Sequence, residues 1–523
     1  MGTGRVTRRE FLVAIGAGAV VVACSDDDTS SGSPRSDAAT TTVTVPPAPA
    51  LASTPFTLGV ASGDPLPEAV VLWTRLAPDP INGGGMPPET VAVLWEIADD
   101  ETFDTVVTSG IADATPDHAH SLHVDADGLD PDTWYHYRFR VGEWTSPIGR
   151  TRTAPEPEAD VDELRFGFAS CQHWERGFYN AYRDMAATDL DLVLFLGDYI
   201  YEGGPGAGAR LHNSPEVTDL AGYRNRYGLY KGDANLQAAH ARCPWIVIWD
   251  DHEVENDYAG AHSEDPVVTS EAFLTRRAAA YQAWWEHTPV RMDPPTGPDL
   301  EITRDLRYGT LAHLFMLDTR QYRDIQACGV DGISLEPACP EVNDPARTIV
   351  GADQEQWLLD GLRDSDTTWN VLGNQVVMTR LMVGEAVLNY DQWDGYAASR
   401  QHLYERLRSE GITNTVVVTG DIHLSGVGDL TDEQGVVATE LVGTSIASVA
   451  DLPEGVDQLV ADNLADVKYF NSARRGWCHN VVTAEQWTAE FRAVEDNTVD
   501  GSATTVDATF TITPDRPGAT RVG

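Results

Sequence analysis

The chain has 523 residues, and 81 acidic side chains against 36 Lys and Arg give it a formal net charge of −45. Nucleic acids and anionic lipid surfaces are recognised through basic faces, so this balance excludes both as partners of the folded surface. A chain of this length exceeds what one simple core organises, and two domains are the starting expectation.

The first segment is an address. Thr7-Arg8-Arg9-Glu10-Phe11-Leu12 precedes an apolar stretch, Val13 to Val22, too short to span a bilayer. A basic start followed by such a stretch is an export signal, and the paired arginines place it with the twin-arginine type. Val21-Val22-Ala23-Cys24 reads as a lipoprotein cleavage site with Cys24 acylated, so residues 1–24 are the signal and a lipid on Cys24 is the membrane contact. Each buried methylene contributes about 0.8 kcal/mol, so a multiply acylated cysteine anchors firmly. The expected product is an exported cell-surface lipoprotein, or a secreted protein if Cys24 is unmodified, and a monomer. Residues 25–54 are rich in Ser, Thr, Asp, Pro and Ala; they cannot offset their ordering entropy and read as a disordered tether. Export permits disulfides. Cys328 and Cys339 bracket a short loop and form the first expected bridge; Cys243 and Cys478 are a candidate second pair, which leaves Cys171 single.

Residues 55–155 read as an all-β domain. Val91, Val93, Trp95 and Ile97 alternate with other residues, as do Tyr135, Tyr137, Phe139 and Val141, the period of strands with one buried face. Leu129 to Tyr135 carries the tyrosine-corner pattern of immunoglobulin-like and fibronectin III-like sandwiches. After a linker at Thr153–Pro157, residues 156–520 change texture to short apolar runs alternating with helical patterns. Phe178, Ala181, Tyr182 and Met185 share one helix face, and Trp357, Leu358 and Leu362 another. Strands are predicted around 165–169, 191–196, 245–249, 311–317, 369–372 and 415–419. Their apolar runs are continuous, as in sheets covered on both faces. The class is α/β.

The polar residues just past each strand carry the chemistry. The six strands run into Ser170-Cys171-Gln172, Gly197-Asp198-Tyr199-Ile200-Tyr201-Glu202, Asp250-Asp251-His252-Glu253-Val254-Glu255-Asn256-Asp257, Asp318-Thr319-Arg320, Gly373-Asn374-Gln375, and Gly420-Asp421-Ile422-His423. Strand C-terminal ends are where α/β proteins place ligands. Asp198, Asp250 or Asp251, and Asp421 would then share one mouth, where like charges raise one another's proton affinity unless cations intervene. A hard metal ion is the economical counter-charge, and a thiol, a phenol and imidazoles beside carboxylates point to a mixed pair of ions. Taken singly, each Asp is ordinarily a helix cap or turn residue, Tyr201 core packing, Cys171 a buried thiol and His252 a core histidine. Six such coincidences in one domain favour the site.

These motifs, in this order and rough spacing, resemble the family of PhoD-type alkaline phosphatases and phosphodiesterases across residues 55 to 515. The resemblance implies a calcineurin-like metallophosphoesterase fold, a β-sandwich flanked by helices, with the sandwich domain in front. It implies Fe(III) held by Cys171, Asp198 and Tyr201, with Asp198 bridging to Ca²⁺. Asp251 or Asp250, Asn374, Asp421 and His423 are the candidates for the remaining ligands. Asp198 and His252 are the catalytic candidates, His252 falling where related enzymes keep a general acid. The expected reaction is release of phosphate from an ester by attack of metal-activated hydroxide, with His252 protonating the leaving alkoxide. Ser170 has no activating base in sequence, which disfavours a phosphoserine route. The competing enzymatic reading is a phosphodiesterase or phospholipase D-like activity on lipid or teichoic-acid-type diesters, so the expected partners are phosphate-ester small molecules or cell-envelope polymers. A surface binder with an inactive second domain is the non-enzymatic reading; missing motif residues would have favoured it. The segment 203–240 reads as a lid or substrate-facing insertion.

Overall fold

The computed structural model describes residues 43–329, 337–450, 452 and 455–523; the export signal, Cys24 and residues 25–42 lie outside them. Eight strands come first: β1 Val60–Leu66, β2 Ala69–Arg75, β3 Val91–Ala98, β4 Val106–Ala114, β5 Ser121–Asp127, β6 Trp134–Val141, β7 Trp144–Thr145 and β8 Gly149–Arg152. Strands β1, β2 and β5 face β3, β4 and β6 across a core that includes Val60, Leu72, Val93, Tyr135 and Phe139. In β6 the alternation is complete, with Tyr135, Tyr137, Phe139 and Val141 buried and their neighbours half-exposed. The Tyr135 hydroxyl accepts from the Asp130 backbone N–H at 2.9 Å and fixes the turn into β6.

This region shares a sheet with the residues that follow it. β1 pairs in parallel with a strand some 180 residues later, Gly63 opposite Trp245, so β1, β2 and β5 extend a sheet of the larger domain. The tether also ends earlier than residue 54: the Pro46 carbonyl accepts from Gly142 N–H at 2.7 Å, and Ala48 packs on the same core.

The larger domain contributes β9 Glu163–Ala169, β10 Leu192–Leu196, β11 Trp245–Ile248, β12 Arg304–Tyr308, β13 Ala312–Met316, β14 Trp369–Asn374, the short hairpin β15 Met382–Val383 and β16 Ala386–Val387, β17 Thr415–Thr419, β18 Ser425–Asp432, β19 Gly435–Val442, β20 Val467–Asn471, β21 Arg475–Thr483, β22 Trp487–Val494, β23 Thr504–Thr513 and β24 Arg516–Arg521. Its helices are α1 Asn180–Ala187, α2 Leu220–Lys231, α3 Ala234–His240, α4 Ser270–His287, α5 Ala352–Asp364, α6 Ala397–Ser409 and α7 Val456–Asn463. One sheet runs β24-β23-β22-β21-β9-β10-β11-β1-β2-β5 and the other β12-β13-β14-β17-β19-β18-β20. Each contains a parallel trio that bears on the site, β9-β10-β11 in one and β13-β14-β17 in the other.

The period of two explains the layers. Leu314, Met316, Val371, Val416 and Val418 point inward with Leu194 and Leu196 of the first sheet. Their sequence neighbours Phe315, Leu372 and Val417 point outward onto Leu358 and Leu362 of α5 and Leu403 of α6. Both faces of the central strands are therefore dry, which is why their sequences read as unbroken apolar runs. On α1 the buried stripe is Ala181, Tyr182 and Met185; Phe178 precedes the helix and its N–H bonds Asn497 O instead.

Cys328 and Cys339 form a disulfide with a Cα–Cα distance of 5.8 Å. Cys243 and Cys478 do not pair; both are free, buried thiols. Cys478 lies in β21 and Cys243 just before β11, with β9 and β10 between them. Three strand spacings put them about 14 Å apart, twice the reach of a disulfide. Alkylation of the unreduced, denatured protein should label Cys243 and Cys478 and leave Cys328 joined to Cys339, read by peptide mass mapping; a Cys243–Cys478 peptide would contradict the strand order.

Candidate active site

The C-terminal ends of the two parallel trios meet at one rim of the sandwich, and the loops leaving them are backbone-strained. Cys171, Asp198, Asp421 and His423 all adopt φ between 58° and 65°, a region L-residues enter at a cost and that clusters at functional sites. Gly197, at φ 106°, lets β10 turn there: a Cβ would lie 2.5 Å from that of Asp250. Close packing of these loops presses the side chains together.

Three overlapping clusters result. The ligand atoms of Cys171, Asp198 and His423 lie within 4.8 Å of one another, as do those of Asp198, Asp251 and His252, and of Asp250, Asp251 and Asp421. Asp198 joins the first two and Asp251 the last two. The Tyr201 hydroxyl donates to Asp198 Oδ2 at 2.7 Å, lies 2.9 Å from His423 Nε2 and accepts from Ser448 Oγ at 2.7 Å. Asn374 stands apart. Its Oδ1 accepts from Trp393 Nε1 at 3.2 Å and its amide nitrogen donates to Val376 O and Thr419 Oγ1, which ties it to the end of β17 rather than to the carboxylates.

A match described as the PhoD-like phosphatase family covers residues 166–491, and one described as the N-terminal domain of PhoD-like phosphatases covers 40–155. Alkaline phosphatase D of Bacillus subtilis (strain 168) is 46% identical over 493 residues, spanning 91% of this chain and 84% of that protein. The chain belongs to the PhoD-like phosphatase family. A solved structure of PhoD superposes with a TM-score of 0.87 at 46% identity, over 91% of this chain and 94% of that one. A purple acid phosphatase from yellow lupin (Lupinus luteus) seeds shares the fold at a TM-score of 0.55 and 11% identity, over 88% of this chain and 74% of that one. Family membership makes this chain a hydrolase of phosphate esters, as the motifs implied.

In this PhoD-like phosphatase the charge balance of the rim rests on a residue that the strand-end pattern reached without giving it a role. Arg320, fully buried, donates through Nε to Asp250, and its Nη2 lies 2.8 Å from Asp391 Oδ2, 3.5 Å from Asp421 Oδ1 and 3.7 Å from Asp251 Oδ2. Asp391 also pairs with Arg323 at 2.6 Å, and Gln392 donates to Asp421 Oδ2 at 2.7 Å. Asp391 and Gln392 follow no predicted strand and had no sequence signal. Asp318 is a turn residue after all: its Oδ1 accepts the backbone N–H groups of Arg320 and Gln321.

One guanidinium does not neutralise this cluster. Burial raises the proton affinity of Asp250 and Asp421, and the neighbouring aspartates add to it against the pull of Arg320. Burial acts the same way on Asp251, but there Arg320, His252 and the Asp257 N–H outweigh it and the carboxyl is held low. Burial, then Asp198, push the Cys171 thiol and the Tyr201 phenol well up. Two buried carboxylate oxygens, Asp198 Oδ1 and Asp250 Oδ2, have no hydrogen-bond donor. Orphaned acceptors beside hard and soft ligand atoms fit metal ions, whose charge would also hold the thiol and phenol deprotonated.

Two further carboxylates shape the rim. Buried Glu253 accepts the backbone N–H groups of Asp198, Tyr199 and Asp250 at 3.0, 2.6 and 2.9 Å, so it fixes two strand ends at once. Glu202 Oε2 holds His252 Nδ1 at 2.8 Å. Burial would lower the His252 proton affinity, yet Glu202, Asp251 and Asp198 raise it well above the usual imidazole range.

Replacing Arg320 with Met should destabilise the chelated protein by about 3–5 kcal/mol in urea unfolding, because it leaves buried carboxylates uncompensated. A loss below about 1 kcal/mol would show that the guanidinium is not their main counter-charge.

Proposed function

We propose that this phosphatase is a metal-dependent phosphomonoesterase whose rim holds Fe(III) through Cys171, Asp198 and Tyr201, with His423 beside them, and Ca²⁺ through Asp250, Asp251 and Asp421. The orphaned oxygens of Asp198 and Asp250 carry this reading. The mixture of a thiol and a phenol on one side with carboxylates alone on the other supports two kinds of ion. Asn374 has the weakest support as a ligand, because its amide is already engaged. When bound, the ions supply the positive charge that draws in a phosphate ester and stabilises its transition state, and they lower the proton affinity of water for attack on phosphorus.

The chain's own residues do the rest. Glu202 takes the Nδ1–H of His252 and holds that ring charged and oriented. His252 Nε2 has no protein partner among the described residues and is the proton donor for the leaving alkoxide. Arg320 balances the carboxylates that no ion takes, and Glu253 keeps Asp198 and Asp250 in register. The sequence resemblance and the name of the B. subtilis relative, alkaline phosphatase D, support a monoester as substrate.

The paired sheets β1-β2-β5 and β4-β3-β6, together with the Tyr135 corner, support reading residues 55–155 as a fibronectin III-like module fused to the catalytic sheet. We place the protein outside the cytoplasm, exported by a twin-arginine-like route and tethered through acylated Cys24, as a monomer acting on small phosphate esters or envelope polymers. The Cys328–Cys339 disulfide supports an oxidising compartment.

The decisive assay compares a monoester and a diester with one leaving group, with and without chelator. Chelator-sensitive turnover with the monoester faster is expected; a faster diester would move the assignment to a phosphodiesterase, and chelator-resistant turnover would end the metal reading. Asp198→Ala should lose both bound metal and turnover. His252→Gln should lower kcat by about 10²- to 10⁴-fold for alkyl phosphates and far less for 4-nitrophenyl phosphate, whose leaving group needs no proton. Equal losses on both would assign His252 another role.

A further inference from the structure

The turn after Cys171 carries an imidazole that no part of the scheme above uses. His173 lies two residues past the thiol, and its backbone N–H donates to Ser448 Oγ at 3.2 Å, the hydroxyl that in turn reaches Tyr201. Its ring packs on that of Tyr201 with centroids 4.3 Å apart, and Tyr201 also packs against His252 at 4.1 Å. Beyond His173, His212 stacks at 5.4 Å, and the Gly206 and His212 N–H groups bond the Glu175 carboxylate. His173 therefore sits between Tyr201, a candidate metal ligand, and His212 of the segment 203–240, which the sequence reads as a lid or substrate-facing insertion.

Its chemistry is fixed by one backbone contact. His173 Nδ1 accepts the Glu175 N–H at 3.2 Å, so the ring proton resides on Nε2. That Nε2–H has no partner among the described residues and is not among the enclosed polar atoms. His173 also belongs to none of the ligand clusters. A donor with a fixed tautomer, locked between aromatic rings at the rim and outside the metal set, is available to a bound anion.

We propose that His173 is a substrate-binding residue that donates its Nε2–H to a non-bridging oxygen of the phosphoryl group. The inference rests on the phosphatase reading of the same rim. It separates His173 from His252: the first contacts an oxygen that stays on phosphorus, the second the oxygen that leaves.

The test uses full-length, metal-loaded wild type, His173→Phe and His173→Gln, with inorganic phosphate as inhibitor and two monoesters, 4-nitrophenyl phosphate and an alkyl phosphate. Phe retains the ring packing and removes the donor; Gln restores a donor at the reach of Nε2. Loss of one such hydrogen bond should weaken phosphate inhibition and kcat/KM by about three- to tenfold in His173→Phe, as expected of a single neutral donor. Metal content should stay at the wild-type level, the penalty should be equal for the two esters, and His173→Gln should recover part of it. Unchanged phosphate inhibition in metal-replete His173→Phe would overturn the proposal, as would a penalty that follows metal loss or grows with the poorer leaving group. Inactive metal-loaded wild type would instead refute the phosphatase reading beneath it.

Discussion

Asp198, Asp250, Asp251 and Asp421 come from three strand ends and are held close together in a buried rim, with Arg320 as the cation that Asp250, Asp251 and Asp421 share. Bringing like charges together out of water is unfavourable, and everything around the rim is arranged to sustain it. Glu253 ties the β10 and β11 loops through backbone N–H groups, Asp391 and Arg323 fix the guanidinium, and the left-handed residues at each loop aim side chains that ordinary strand exits would point apart. The remaining unneutralised charge is a demand for cations. It is also what makes the rim attract a phosphate ester once those cations are bound, since an acidic protein otherwise repels anions.

The strand ends were legible because double burial writes itself into composition. Leu192 to Leu196 and Thr415 to Thr419 leave no polar face, so their limits and the polar residues beyond them stand out. Asp198, Asp421 and His423 were singled out on that ground, and the structure brings them to one rim. Asp391 and Gln392 were not, because they reach the rim from a stretch with no periodic pattern, by tertiary packing alone. Arg320 lay in a strand-end motif, but nothing local says that its guanidinium turns back onto Asp250, from a different sheet. The Cys243–Cys478 pairing failed for the complementary reason. Counting cysteines ignores strand order, and β9 and β10 lie between them.

The N-terminal region shows a similar limit. Its alternation says which residues of each strand are buried, but no local feature of β1 announces that Gly63 will sit opposite Trp245. Pattern reveals which face of a strand is buried; it does not reveal which edge is taken.

That edge has a consequence for assembly. β1 finds its neighbour β11 only after some 180 further residues are made, and β9 gains its second neighbour, β21, only near the end of the chain. At a synthesis rate of roughly 5–20 residues per second, β1 waits about ten seconds or more with its future pairing edge open. The N-terminal strands β1, β2 and β5 and the C-terminal strands β21 to β24 thus form opposite flanks of a single sheet. The clustered side chains run from Cys171 to His423, so the rim waits for most of the chain after β1 and β2 are already made.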